Sequence, residues 1–391
     1  MLIHSVATHV AASRPASGER RASTSGLQQT PNVAAPLASS RTSLNTSAVS
    51  SADLRQIKAE RISLDDEEAI KAIKSTLIAD VTLANFPYSQ NQNELRVATT
   101  KGWEIGAGKL LQDQSVGPGQ KNLGENGILT KSGLTAYLFI NERTKEARVV
   151  FGGTTSGEKA GDLTTRTRGN FTATVRQWLA NIRNVFSGTP DSYREAAQLV
   201  KDLNQNQKLS GYTLSVSGHS KGGGESAYAA LMLGAQTGKP VTSINFSSAE
   251  LGPQLKRNIA DELAKNGVPP EDIVSKFNAL GKNILHVNIK GDPVPSMHKL
   301  FGSISNIGKT LSLPNDNQSG LHLSEHVDFC SRVTNWAHSE TMTHHHLLAY
   351  LEPLTKPFNK AQADNSTSQR QQGKMGIQPP FEANTQLAKT R

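Results

Sequence analysis

Hydrophobic positions along the middle of the chain alternate between two periods. From 67 to 86 (EEAIKAIKSTLIADVTLANF) they recur every three to four residues, which predicts an amphipathic helix, with Ser63 and Asp66 ahead of it as N-cap candidates. A region rich in Gly, Asn and Gln follows, holding Gly102-Trp103 and GPGQKNLGENG, and reads as loop. LTAYLFI (134–140) and ARVVFGG (147–153) then flank the polar stretch NERTKE, the pattern of an antiparallel hairpin. Helical spacing returns in VRQWLANIRNVF and SYREAAQLVKDLNQ. A strand YTLSVSG runs into a helix at KGGGESAYAALMLGA, and VTSINFSS is another strand. PQLKRNIADELAKNG and EDIVSKFNAL are helical, NILHVNIKG is a strand, and HHHLLAYLEPL closes the series as a short helix. Strands separated by helices predict a mostly parallel sheet with helices on both faces.

The two ends lack this pattern. The stretch from Met1 to about Ser51 is rich in Ser, Thr, Ala, Pro and Gln, and the tail from about Asn359 to Arg391 reads alike. Such segments bury too little apolar surface to offset their conformational entropy. The expected organisation is a disordered leader at 1–61, one folded domain at 62–354 and a disordered tail at 355–391. Hydrophobic residues at 36% and aromatics at 5% fit a folded centre diluted by polar ends. The net charge of +9 would help at an anionic membrane surface, or it is simply a solvated basic exterior. No dense Lys/Arg run or zinc-finger pattern is present, which argues against a nucleic-acid partner. A single cysteine, Cys330, allows no disulfide within the chain. The first residues lack a charged start followed by a long apolar run, so no Sec signal peptide is read there. No segment reaches the ~18 consecutive apolar residues of a membrane span.

The chemistry centres on Gly218-His219-Ser220-Lys221-Gly222, a G-x-S-x-G between an apolar strand and an Ala/Leu-rich helix. That strand–turn–helix context is what a nucleophile elbow requires. Ser220 would occupy a strained backbone position with its hydroxyl lifted above the sheet end, where side chains at 218 and 222 would collide. The first turn of the helix aims N–H groups at the reacting centre, so the Lys221 N–H is the expected oxyanion donor. The competing reading is a Gly-rich turn of the phosphate-binding kind, but GxxxxGK[ST] is absent. The hydroxyl needs a base, and the base an orienting acid, in the chain order Ser, acid, His. Asp292 follows an apolar strand and opens the loop Gly291-Asp292-Pro293-Val294-Pro295; a turn-forming Asp is the bland alternative, with Glu250 and Asp272 as fallbacks. Seven histidines lie beyond it: His298, His322, His326, His338, His344, His345 and His346. The triplet before the closing helix is preferred over His338, and spacing alone does not choose within it. Adjacent histidines also suit metals, yet neither HExxH nor a Cys pair accompanies them, so no metal or cofactor is expected. Gly152-Gly153-Thr154-Thr155 ends a strand, where Thr154 could serve the oxyanion or stand in an ordinary Gly-rich turn.

These segments together resemble the class 3 lipase family, the lineage of fungal triacylglycerol lipases and plant phospholipase A1-type enzymes, from about Ile73 to Leu351. ANFPYS and GWEI are similar to its opening, RVVFGGT to its oxyanion turn, and QWLANI to the helix after that turn. LSVSGHSKGGGESAYAA is similar to its elbow, INFSSAELG to a strand end, HVNIKGDPVPSM to the acid-bearing stretch, and HHLLAYL to the phospholipase-type histidine motif. The resemblance implies an α/β-hydrolase fold and a triad of Ser220, Asp292 and His345. It also implies oxyanion donors at Thr154 and Lys221, elbow glycines at Gly218 and Gly222, and a lipid or phospholipid substrate met at a membrane surface. Gly152 and Lys221 depart from the family's usual Arg and Leu. The polar stretch 155–176, where a lipase lid would carry an apolar face, favours a phospholipid, lysophospholipid or galactolipid over a triglyceride. An acyltransferase on the same triad, or an inactive hydrolase-fold interaction protein, are the competing functions. The Ser/Thr/Pro-rich head resembles the leader of bacterial type III effectors, a composition shared by other bacterial tails and linkers. That resemblance implies export into a host cell and a host partner; without it a cytoplasmic enzyme is expected.

Overall fold

A computed structural model describes residues 49–62, 67–90, 92–105, 115–116, 121–122, 127–153, 188–289, 292, 294–296 and 304–313. All of them fall in one of the two compact units of the chain, Asn45–Arg391. In chain order the helices are α1 (Ser51–Gln56), α2 (Glu67–Ser89), α3 (Arg96–Thr100), α4 (Asp191–Gln205), α5 (Lys221–Thr237), α6 (Pro253–Lys265) and α7 (Ile273–Gly281). The strands are β1 (Glu60–Arg61), β2 (Trp103–Ile105), β3 (Ser115–Val116), β4 (Lys121–Asn122), β5 (Ile128–Leu129) and β6 (Thr135–Asn141). They continue with β7 (Glu146–Gly152), β8 (Thr213–His219), β9 (Thr242–Phe246), β10 (Ile284–Ile289) and β11 (Lys309–Leu313).

Nine of these strands form one sheet in the order β1-β11-β10-β9-β8-β7-β6-β2, with β5 also on β6. Pairing is parallel from β1 through to β7 and antiparallel in the β6–β7 hairpin and beyond it. The sheet is therefore mostly parallel and flanked by helices, an α/β-hydrolase architecture. β3 and β4 form a separate antiparallel pair.

Alternation along β7 shows how the sheet serves two cores. Ala147, Val149 and Phe151 face the cluster built with α4, α5, α6 and α7, which contains Leu199, Leu203, Ala229, Leu255, Ile259 and Phe277. Val150, on the opposite face, packs with Leu83 and Phe86 of α2, Tyr137 and Phe139 of β6, and Trp103. Phe86 meets Tyr137 and Phe139 edge-on, with centroids 5.1 and 5.6 Å away. Arg148 projects among these apolar groups, and burial of its charge requires partners. It pairs with Asp80 of α2 and with Glu146 at 2.7 Å, donates from Nε to Ser215 at 3.0 Å, and lies 4.6 Å from the Trp103 ring centroid. Burial pushes the Asp80 carboxyl up and Arg148 opposes that.

The folded unit starts earlier than the expected boundary at 62. Ser50 caps α1 through a capping box with Asp53, Leu54 and Ile57 are buried, and β1 adds a parallel strand to the edge of β11. Residues 49–61 are too short and too polar for a periodicity to stand out. Their buried apolar anchors Val49, Leu54 and Ile57 gain meaning only against the assembled core, where Lys256 of α6 donates to Ile57 O at 3.3 Å and to Ser305 at 2.7 Å. Burial lowers the Lys256 ammonium to about 8. The N-cap candidates Ser63 and Asp66, the helix expected over VRQWLANIRNVF, and the closing helix at HHHLLAYLEPL lie outside the described residues.

Within β10, His286 is buried with Nδ1 2.6 Å from Ser248 Oγ and Nε2 3.0 Å from Ile307 O. Burial holds the imidazole down at about 4, below its ordinary 6.5. The unfolded chain takes up this proton below about 6.5 and the folded one only near 4, so stability is full above the first value and falls towards the second. The span corresponds to about 3 kcal/mol. Urea unfolding at pH 7 and pH 4 should show His286→Gln losing that much less stability on acidification than the wild type; equal losses would mean that His286 is not held neutral.

Candidate active site

The sequence around Ser220 leaves the backbone little choice. β8 is apolar and extended, α5 begins at Lys221, and one residue must reverse the chain between them. Ser220 does so at φ 59 and ψ −125, a conformation that favours glycine. Its backbone is fastened on both sides. The Ser220 N–H donates to Phe246 O at 3.0 Å, and Ser220 O accepts from Ala249 N at 2.9 Å and Gly223 N at 3.1 Å. Ser220 itself is 5% exposed.

The close approach expected of the flanking glycines is present. A Cβ on Gly218 would be driven into the carbonyl of Gly222, and one on Gly222 into the carbonyl of Phe151 on β7. The first N–H groups of a helix have no intrahelical partner, and the Lys221 N–H belongs to that set, directly after the strained serine. The Lys221 side chain is drawn elsewhere. Its Nζ pairs with Glu225 one turn on and donates to Gly133 O at 3.1 Å. Glu225 is fully buried, which pushes its carboxyl up, with Lys221 opposing. The Lys–Glu pair thus occupies the face of α5 towards the turn before β6.

Asp292 lies just past β10, two strands from β8 in the sheet. At the ordinary strand spacing, that is roughly 10 Å across, enough for an imidazole between the two groups. The carboxylate is 2% exposed and already held: Oδ1 accepts from Val294 N at 2.9 Å, and Oδ2 accepts from the Ser247 hydroxyl. The fallback acids differ. Glu250 is buried beside α6, where its charge favours the Lys256 ammonium, and Asp272 is exposed ahead of α7. Asp292 is thus held by two hydrogen bonds just past the end of β10, a place that Asp272 and Glu250 do not share.

The structure thus brings Gly218, Ser220, Lys221, Gly222 and Asp292 to one edge of the sheet. Thr154 lies outside the described residues, as do His298, His322, His326, His338, His344, His345 and His346. The turn after β7, expected to serve the oxyanion, is described only to Gly153. The Gly153 N–H donates to Tyr88 Oη at 2.9 Å, and the same hydroxyl shares a 2.8 Å hydrogen bond with His219 Nδ1. Tyr88 is half-buried, and desolvation of its hydroxyl raises the phenol, so it remains protonated. It ties the end of β7 to the elbow from the last turn of α2. Sequence reasoning gave no role to Tyr88, Glu225 or Ser247; a tyrosine, a glutamate and a serine carry no pattern that separates such partners from surface residues. Among the described residues, no group of three or more His, Cys, Asp and Glu side chains could hold a metal ion, and no helix is long and apolar enough to cross a membrane.

Comparison with known proteins agrees with the resemblance. The Lipase (class 3) family model matches residues 148–301. The chain is similar to a Rhizomucor miehei lipase propeptide complex at 18% identity, over 62% of this chain and 69% of that one, with a TM-score of 0.35. It is similar to Lip2 lipase from Yarrowia lipolytica at 15% identity, over 65% and 82%, with a TM-score of 0.33. Lipase II from Rhizopus niveus follows at 14%, over 61% and 80%, with a TM-score of 0.32. No curated protein sequence matches at a significant level.

The backbone at residue 220 gives a test independent of chemistry. Ser220→Gly relieves the positive φ, worth about 1–3 kcal/mol, against a glycine entropy cost of about 0.5–1 kcal/mol. Urea denaturation should therefore show a gain of about 1 kcal/mol. An unchanged or lower value would mean that the turn is unstrained.

Proposed function

We propose that this chain, a class 3 lipase relative through residues 148–301, is a serine hydrolase that cleaves lipid acyl esters. The observation that carries the reading is the φ 59 conformation of Ser220 at the junction of β8 and α5. A serine is held in a glycine-like state there because the reaction needs its hydroxyl clear of both elements.

In this reading His345 takes the proton from Ser220 as its oxygen attacks the ester carbonyl. Asp292, with its carboxylate already fixed by Val294 N and Ser247, orients that imidazole and stabilises its cation. The Lys221 N–H and Thr154 hold the tetrahedral oxyanion. Tyr88 supports the second donor by anchoring the preceding residue, Gly153. His345 then returns the proton to the leaving alcohol, and water releases the acyl group by the same steps reversed in role. The substrate proposed is a phospholipid or galactolipid. Its support is the composition of 155–176 (TSGEKAGDLTTRTRGNFTATVR), which offers no apolar face for a triglyceride-water interface.

Labelling with a fluorophosphonate probe tests the machinery. Wild type should label, and Ser220→Ala and His345→Ala should not; loss in Ser220→Ala alone would move the base to His344 or His346. A folded wild type that never labels would overturn the hydrolase reading in favour of an interaction protein. Incubating phospholipid vesicles with and without an added alcohol should release free fatty acid in both cases. An acyl product formed only on the alcohol would identify a transferase instead.

A further inference from the structure

The tetrapeptide Phe246–Ala249 does more than end β9. Its outer members clamp the backbone of Ser220, with Phe246 O accepting from Ser220 N and Ala249 N donating to Ser220 O. Between them, Ser248 reaches His286, and Ser247 reaches Asp292. Ser247 does so from φ 43, the left-handed region where a residue with a Cβ is strained. Its backbone N–H is fixed to Val287 O of β10 at 3.0 Å, and the residue is wholly buried. Glycine would take this turn without strain, yet the position carries a hydroxyl, and that hydroxyl is spent on the carboxylate.

We propose that Ser247 is a positioning residue for the reaction: its hydroxyl fixes the Asp292 carboxylate in the plane that the catalytic imidazole must meet. The inference rests on Asp292 being the triad acid, as read above. Two independent observations meet in it. One is a positive φ on a non-glycine residue, the kind of strain that persists where the surroundings impose it. The other is the donor on Asp292 Oδ2, which completes a pair with the Val294 N–H on Oδ1. A carboxylate 2% exposed cannot rely on water to hold its charge or its rotamer. With one oxygen gripped from its own loop and the other from the neighbouring strand, rotation about the Asp292 side chain is stopped from both ends. The same tetrapeptide fastens the nucleophile's backbone, so the two groups keep their separation through a segment of four residues.

The strain provides the control. Ser247→Gly removes both the hydroxyl and the strain, whereas Ser247→Ala removes the hydroxyl alone. Turnover of p-nitrophenyl butyrate and thermal unfolding are measured on both, beside Asp292→Asn. Both Ser247 variants should lose kcat about tenfold with KM unchanged, as loss of an outer partner to a catalytic group does, and Ser247→Gly should melt at a higher temperature than Ser247→Ala. If Ser247→Gly recovers wild-type kcat while Ser247→Ala does not, the role is structural and the proposal fails. If both stay within twofold of wild type while Asp292→Asn is inactive, the proposal fails and the triad stands. If Asp292→Asn itself turns over normally, the acid assignment falls, and this inference with it.

Discussion

Ser220 stays at its positive φ because hydrogen bonds from 246 and 249 and the close approach of β7 leave no relaxed alternative. Much of the surrounding sequence is a consequence. Gly218 and Gly222 are small because the turn folds onto itself and onto Phe151. β8 must be central, since its end has to be flanked by β9 on one side and β7 on the other. α5 must begin without a spacer, so its N-terminal N–H groups are delivered beside the serine at no further conformational cost.

The polar residues near the elbow are tied in small groups. Lys221 pairs with Glu225 along the helix, Tyr88 joins His219 to Gly153, and Ser247 and Val294 hold Asp292. His286 is kept neutral by burial, with Ser248 and Ile307 holding its two ring nitrogens. Because a buried polar group without a partner is costly, such ties also fix the relative placement of the elements they join.

Legibility in the sequence followed the range of the interaction. The hairpin β6–β7, the strand–helix pair β8–α5 and the strand β10 were readable because hydrophobic period and turn residues are local signals. The elbow was readable because its strain demands glycines at fixed offsets. Tyr88, Ser247 and the Arg148 pair with Asp80 were not, since their meaning depends on partners 131, 45 and 68 residues away. Residues 49–61 were read as leader for the same reason. Leu54 and Ile57 are two apolar positions in a polar stretch until the surface that receives them has been assembled.

That last segment fixes an order of events. Among the described residues β1 pairs with β11, and Ile57 O accepts from Ser305, 248 positions later. During synthesis the segment emerges long before these partners and has nothing to pair with until nearly all of the described sheet exists. At an elongation rate of about 5–20 residues per second, it waits for at least about ten seconds. Closing so long a loop is entropically the most expensive step of the sheet, and it comes after the other strands have paid for themselves. Among the described strands β1 therefore waits longest for its partner, and that interval is when the segment is open to pairing with another nascent copy.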